Sequence, residues 1–314
     1  MTGPVLVAGG AGYIGSHVAH RLLVAGRDVV VLDDLSTRTH RQTADPRHYV
    51  GDLFDTALVG SIIAEHGVDT IIHAAASHHP IQRMSSTAAA LACFVKAGVS
   101  KFVFTSSCAV YGSSRLGDSV DETCAPKPQS TYGLEKLALE QLLLSLSRTA
   151  GLRCVLMRCF NVAGAYRGGR FSGSAGDPTR LINMACQVAV GRRTYVPVYG
   201  SSFATRDGTC VRDYVHVDDV ARAYVNAVSY LDAGGRSEVL NCGSGHGHSV
   251  REVLRVVGDE SGVLVQARFF PSRLEDMPFM VSSNRRIRET LGWFPSEDTF
   301  LTIVSSALEC ERAD

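Results

Sequence analysis

The segment "VLVAGGAGYIGSHVAHRLL", Val5 to Leu23, limits the possible folds more than any other stretch of the chain. Four apolar residues, Val5–Ala8, run straight into glycines, and Gly9, Gly12 and Gly15 recur at every third position before a helical pattern begins. A strand can pass into a helix this abruptly only where the turn tolerates backbone conformations that side chains resist. The resulting helix points its first N–H groups, and the positive end of its dipole, at the space beyond the strand. That arrangement suits a phosphate. A purely structural glycine turn is the competing reading. The second apolar run, "VVVLDD", weighs against it. Asp33 falls 18 residues after Gly15, where a carboxylate can accept hydrogen bonds from an adenosine ribose and repel a 2′-phosphate. The spacing therefore predicts NAD rather than NADP. Further on, the "GDL" at Gly51–Leu53 can bring Asp52 near the adenine.

The rest of the first half repeats the same alternation. Strand-like runs at Val5–Ala8, Val29–Leu32, Thr70–Ala74, Phe102–Thr105 and Cys154–Arg158 are separated by helical patterns at Gly15–Ala25, Thr56–His66, Thr87–Ala97 and Tyr132–Ala150. Continuous apolar strands alternating with helices predict a parallel sheet covered on both faces. The expected fold is α/β, a Rossmann-type doubly wound parallel sheet with a smaller C-terminal substrate-binding domain. A Gly- and Ser-rich stretch, "YRGGRFSGSAGDP", places the boundary near Gly164, giving domains of 1–164 and 165–314. Beyond it, Leu181–Val190, Val217–Tyr230 and Val250–Gly258 read as helices, and "YGSSFATRDGTC" reads as a loop.

Composition narrows the function classes. With 31 basic and 31 acidic residues, nothing favours nucleic acid or an anionic membrane as a partner. Apolar runs such as "TIIHAAA" are too short to span a bilayer. The N-terminus shows no secretory pattern. The nine cysteines are scattered, without metal-ligand spacing, and mostly in apolar settings. They read as core filler in a reducing cytoplasm, with Cys108 as a possible exception.

A tyrosine stands four residues before a lysine in "QSTYGLEKLALEQ". Taken alone, Tyr132 and Lys136 read as a surface tyrosine beside a solvated lysine. On a helix, however, they share a face. Together with "GGAGYIGSH", "LDDL", "GDL", "IIHAAA", "FTSSCAVYG", "YGLEK", "RCFNVAGA", "QVAVGRR", "DGTCVRDYVHVDDVARA" and "SRLEDMP", the chain resembles the extended short-chain dehydrogenase/reductase family. Within it, the UDP-glucose 4-epimerases are the nearest likeness. The resemblance implies NAD held by Gly9, Gly12, Tyr13, Ile14, Gly15, Asp33, Asp52, Leu53, Ala74, Ala75, Tyr132 and Lys136. It implies catalysis by Tyr132, Lys136 and Ser107. Tyr132 would take a proton from the sugar's 4-hydroxyl while hydride moves to NAD, which later returns it to the opposite face. A nucleotide-diphosphate sugar, most simply a UDP-sugar, would be held by Ser107, Asn161, Leu181, Tyr199, Arg212, Arg273 and Asp276. The family also implies a cytoplasmic homodimer, and a chain that returns to the first domain near 211–230 and 237–243.

The sequence also departs from that family. Between "IIHAAA" and "FVFTSS" it is about ten residues short, roughly 15 Å of helix, and the usual Asn-bearing motif is missing. The shortened region predicts weaker cofactor contact, and a dimer either weaker than usual or built on another surface. His78 or its neighbour replaces a customary lysine, but adjacent side chains in a loop rarely converge on one ion, so no metal site is expected. Cys159 replaces an aromatic, Arg180 a nucleotide-facing Asn, and Met280 occupies a position that helps set tolerance for the sugar's 2-substituent. Alternative outcomes are a dehydratase, decarboxylase or reductase that also begins by oxidising C4, and, more remotely, a non-enzymatic NAD sensor. Cys108-Ala109 follows the catalytic serine where a dehydratase would carry an Asp-Glu pair, which argues against dehydration.

Overall fold

A computed structural model describes residues 3–36, 47–75, 84–112, 117–166, 176–273, 276–296 and 299–313. Seven parallel strands form the main sheet: β1 (Val5–Ala8), β2 (Val29–Asp33), β3 (His48–Val50), β4 (Thr70–His73), β5 (Lys101–Ser107), β6 (Arg153–Cys159) and β10 (Glu238–Cys242). Their spatial order is β10-β6-β5-β4-β1-β2-β3. The direction of winding reverses between β1 and β4, and a crevice opens at that point outside the carboxyl ends of the strands.

Helices cover both faces. On one side lie α1 (Tyr13–Val24) and α6 (Val217–Asp232); on the other lie α2 (Thr56–His66), α3 (Met84–Lys96) and α4 (Thr131–Ala150). The pleat assigns each strand residue to a face. Val5, Val7, Val29, Val31, Val103 and Val155 pack with α1 and α6. Leu6, Val30, Leu32, Ile71, Phe102 and Leu156 pack with the other three helices. Both sets are buried, so these strands read as unbroken apolar runs rather than alternating ones. Local signals set the helix ends. The Asp55 carboxylate accepts from Ala57 N and Leu58 N to open α2, and Gly67 closes it at φ +67°. At α4, Ser130 Oγ accepts from Gly133 N, and Gly151 closes the helix at φ +71°.

After β6 the chain enters β7 (Asn161–Ala163), which pairs with β9 (Val211–His216). β9 also joins β11 (Gly247–Ser249) and β13 (Phe279–Met280), while β8 (Val196–Tyr199) pairs with β12 (Ala267–Phe270). Helices α5 (Leu181–Ala189), α7 (Val250–Ser261) and α9 (Thr299–Ala313) enclose a second core with Ile182, Ala185, Val253, Val257, Ile303 and Val304. Short α8 (Arg285–Leu291) follows β13. β10 returns to the main sheet beside β6, in register from Glu238 opposite Val155 to Cys242 opposite Cys159. A small apolar cluster of Val110, Tyr111, Val120, Phe160 and Met280 lies where the two cores meet.

Candidate functional site

The glycine turn is tightly packed. Gly9 has φ +80°, and a Cβ there would lie 2.5 Å from Ala75 N; one on Gly15 would lie 2.0 Å from Gly9 O. Gly12 N donates to Gly9 O at 3.1 Å. No side chain caps α1, so its first-turn N–H groups are directed at the crevice. The side chains of Tyr13 and Ile14 turn elsewhere. Tyr13 OH donates to Gly164 O at 2.6 Å, and Ile14 packs on the core. Any part they have in cofactor binding is therefore through the main chain. Asp33, at the end of β2, accepts from Ala11 N and Leu35 N, each at 2.9 Å. A carboxylate has about four acceptor positions, so two remain for a ribose. Asp52 accepts from Phe54 N at 2.9 Å and Leu53 is buried beneath it. Ala74 N donates to Ala8 O at 2.8 Å, which brings Ala74 and Ala75 against Gly9. A glycine cradle, an uncapped helix and a ribose-facing carboxylate together fit a dinucleotide.

One strand over, β5 ends at Ser107 and continues into a single 3-10 turn, Cys108–Val110. Helix α4 approaches this turn closely, because a Cβ on Gly133 would lie 2.4 Å from Ala109 O. The approach brings Tyr132 beside Ser107, whose hydroxyl bears on the phenol. Lys136 follows one turn later. Tyr132 is 45% exposed and Lys136 only 4%, so the phenol faces the crevice with the ammonium behind it. Lys136 Nζ donates to Thr105 O at 3.0 Å and lies 4.9 Å from the centre of the Phe104 ring and 5.6 Å from that of Tyr132. Burial lowers the Lys136 ammonium to about 8. Burial also raises the Tyr132 phenol, against the opposing pull of the Ser107 hydroxyl and the Arg180 charge. The Cys108 thiol is pushed up to about 12, chiefly by burial. It stays neutral at physiological pH and is no substitute for a catalytic carboxylic acid.

Several supporting residues were not singled out in the sequence. Tyr224 OH on α6 donates to Thr105 Oγ1 at 2.6 Å. Arg158 on β6 donates to Glu140 on α4 through Nε at 3.0 Å and Nη2 at 2.6 Å, and Ser106 Oγ donates to the same carboxylate at 2.5 Å. This buried network fixes the helix that carries Tyr132 to the strands beneath it. The readable signal was a charged residue inside the apolar run "VLMRCF".

The other expected residues lie on the second core. Asn161 opens β7 opposite Tyr214, with Arg212 two residues earlier on β9. Arg212 Nη1 donates to Val211 O at 3.0 Å, and its charge reaches Cys108 beside the catalytic turn. Leu181 opens α5. Tyr199, Arg273 and Asp276 are grouped together. The Arg273 guanidinium stacks 3.4 Å from the Tyr199 ring centre, and Asp276 Oδ2 accepts from Arg273 N at 2.7 Å. Cys159 faces Cys242 across the β6–β10 register and its Sγ lies 3.8 Å from the Tyr224 hydroxyl, and Met280 is fully buried in the cluster between the two cores. Among the described residues no group of three or more His, Cys, Asp or Glu side chains is arranged to hold a metal. His78 and His79 lie outside the described residues. All nine cysteines are free thiols. Among the described residues no helix is long and apolar enough to cross a membrane.

Similarity to known proteins follows the same pattern. Residues 5–243 match the NAD dependent epimerase/dehydratase family. A UDP-glucose 4-epimerase of Azospirillum brasilense is 41% identical over 98% of this chain and 92% of its own. One of Lacticaseibacillus casei is 37% identical over 96% and 95%. The solved UDP-glucose-4-epimerase of Stenotrophomonas maltophila, with bound NAD and formylated UDP-arabinopyranose, superposes with a TM-score of 0.88 at 33% identity, covering 99% of this chain and 98% of that one. A match through the whole Rossmann sheet, joined to relatives this similar from end to end, means that the chain belongs to the NAD dependent epimerase/dehydratase family.

Proposed function

We propose that this chain is an NAD-dependent nucleotide-sugar 4-epimerase that interconverts UDP-glucose and UDP-galactose. The observation that carries the reading is Tyr132 set beside Ser107, with buried Lys136 behind it, at the mouth of the dinucleotide cradle. When bound, NAD accepts a hydride from the sugar and returns it. Gly9, Gly12, the main chain at Tyr13–Gly15, Asp33, Asp52, Leu53, Ala74 and Ala75 hold the cofactor. Tyr132 removes the proton of the 4-hydroxyl, and Ser107 orients that hydroxyl through a shared hydrogen bond. Lys136 supplies the positive charge that favours the phenolate and reaches the cofactor's ribose. Asn161, Leu181, Tyr199, Arg212, Arg273 and Asp276 anchor the nucleotide diphosphate, leaving the sugar free to present either face. Arginine suits this task because its planar fork pairs bidentately with phosphate.

The protein works in the cytoplasm as a homodimer. Its interface is weaker than the family's usual one, or lies on another surface, because the region around Ser85–Ala97, which includes α3, is short. Purified protein, denatured without added cofactor, should release NAD at close to one equivalent. The intact protein should convert UDP-galactose to UDP-glucose without external NAD. Absence of conversion together with free exchange of reduced cofactor would replace this reading with that of a reductase. Light scattering across a dilution series should show dissociation; a dimer that survives to nanomolar concentration contradicts the weak interface.

A further inference from the structure

Strand β5 carries a buried ionic network at each end. At its amino end Lys101 Nζ lies 2.9 Å from Asp69 Oδ2 and 2.5 Å from Asp232 Oδ1, and Arg27 pairs with the same Asp232 at 2.5 Å. That network is remote from the crevice, which opens at the carboxyl ends of the strands. The network at the carboxyl end brackets the turn that follows Ser107. Glu140 is wholly buried there and Arg158 is 4% exposed. In the strand register Arg158 lies between Ser106 and Asn241. Ser106 stands immediately before Ser107, and its hydroxyl donates to Glu140 Oε1 at 2.5 Å. The same oxygen accepts from Arg158 Nε at 3.0 Å, and Oε2 accepts from Arg158 Nη2 at 2.6 Å. Tyr111 stands immediately after the Cys108–Val110 turn. The Arg158 guanidinium carbon lies 4.7 Å from the centre of the Tyr111 ring, whose hydroxyl donates to Asn241 Oδ1 at 2.6 Å. Residues four apart share a helix face, so Tyr132, Lys136 and Glu140 stand in line on α4. Arg158 therefore holds the helix through Glu140, which also takes the residue before the turn, and meets the residue after the turn through the Tyr111 ring.

We propose that Arg158 is a positioning residue which, with Glu140, Ser106 and Tyr111, sets the separation of the Ser107 and Tyr132 hydroxyls. This rests on the 4-epimerase reading given above, in which both hydroxyls meet one hydroxyl of the sugar. A buried ion pair adds little net stability over apolar residues of the same volume, because desolvation offsets its attraction. Its directional, charge-assisted bonds do fix geometry. Gly133 permits the close approach of α4 to the turn, and the bonds of Arg158 and Ser106 to Glu140 hold it. A reacting group misplaced by about 1 Å can cost about 10²-fold in rate. Loosening this clamp therefore lowers kcat. KM and NAD content depend on other residues and should stay near their wild-type values.

The test uses the NAD-loaded protein and UDP-galactose. Ser106→Ala and Tyr111→Phe each remove one hydroxyl and leave the packing in place. Arg158→Met removes the guanidinium, and Arg158→Lys keeps a positive charge there. Asp232→Asn breaks the network at the other end of the sheet and is the control for loss of a buried polar contact. Ser106→Ala and Tyr111→Phe should lower kcat about 10-fold and Arg158→Met about 100-fold, with KM and NAD content little changed. Arg158→Lys should recover part of the loss. Asp232→Asn should lower the denaturation midpoint and leave kcat unchanged. Wild-type kcat in both Ser106→Ala and Tyr111→Phe overturns the proposal and leaves the epimerase reading intact. An equal fall of kcat in Asp232→Asn also overturns it, because the effect would then be one of stability. If wild type turns over no UDP-galactose, the epimerase reading fails, and ultraviolet titration of the Tyr132 phenol decides the positioning alone. It is read as the difference between each protein and its Tyr132→Phe counterpart. A midpoint that moves in Ser106→Ala and Tyr111→Phe supports the clamp, and a midpoint identical to wild type in both rejects it.

Discussion

Tyr132 and Lys136 differ more in burial than in sequence position, and that difference separates their roles. The phenol faces the crevice, so Tyr132→Phe removes a proton acceptor while the ring continues to fill its place. Turnover should fall about 10²–10⁴-fold, with UDP binding by calorimetry nearly unchanged. Wild-type turnover in this variant would remove Tyr132 from the chemistry. Ser107→Ala should be milder, because it deletes a shared hydrogen bond rather than the base. Lys136→Ala should lose turnover and also retain NAD poorly. The pH dependence follows from the burial of Lys136, which lowers its ammonium to about 8. A depressed lysine is charged below that value and neutral above it. If the ammonium supports the phenolate, kcat/KM should fall as pH rises through about 8, and Lys136→Arg, with a group charged throughout, should show no such limb.

The elements around the site vary in how much of them is legible in the sequence. β1, β2, β4, β5 and β6 are buried on both faces and read as apolar runs, and the glycine turn is visible as spacing. The strands after Gly164 were not predicted individually. β13 has only two residues and β11 only three, too few for a period to register. β9 lies inside "CVRDYVHVDD", where Arg212 and Asp213 interrupt the apolar pattern because one is half-exposed and the other is buried among hydrogen bonds. Asp213 accepts from Ser244 N at 2.8 Å, Gly245 N at 3.0 Å and Ser282 N at 3.1 Å, partners that lie far off in sequence. The stacking of Arg273 on Tyr199 likewise joins separate segments through the β8–β12 pair. The Tyr13 hydroxyl is engaged by Gly164 O, a contact no local pattern announces. The glycine turn supports a prediction at this scale. A methyl group on Gly15 would collide with the Gly9 carbonyl, which is backbone and cannot rotate away, so Gly15→Ala must displace the loop. NAD content after purification should fall well below that of wild type. Gly60→Ala, in open space on α2, should leave NAD content unchanged. Equal NAD content in the two variants would mean that the turn tolerates a Cβ and that the cofactor is held elsewhere.

At the scale of the whole molecule, acid stability links the two sides of the main sheet. His17, on α1, is buried and lowered to about 4; His73, at the end of β4, is buried and lowered to about 3. Burial is the main cause at each site. Asp218 partly opposes it at His17, where His216 and His20 add to the lowering, while the Lys136 charge adds to it at His73. An unfolded histidine titrates near 6.5, so both native values lie below the unfolded one. Between these values the unfolded chain binds more protons than the native one. Stability is therefore fully present above about pH 6.5 and is lost progressively as pH falls toward 4 and then 3. Each tenfold loss of proton affinity on folding is worth about 1.4 kcal/mol, so the two sites account for roughly 3–5 kcal/mol each once fully protonated. The hydrogen-bonded carboxylates Asp69, Asp121, Asp177 and Asp207 are held below their ordinary value of 3.8. They lose their contribution only at lower pH, below the window from about 4.5 to 6.5 in which the histidines act, opposed by buried Asp213, whose carboxyl is raised by desolvation. Denaturant midpoints measured through that window should fall with pH in wild type. The slope should be shallower in His17→Gln and in His73→Gln, even if both variants are less stable at pH 7.5. A slope identical to wild type in both would place the acid sensitivity outside the buried imidazoles.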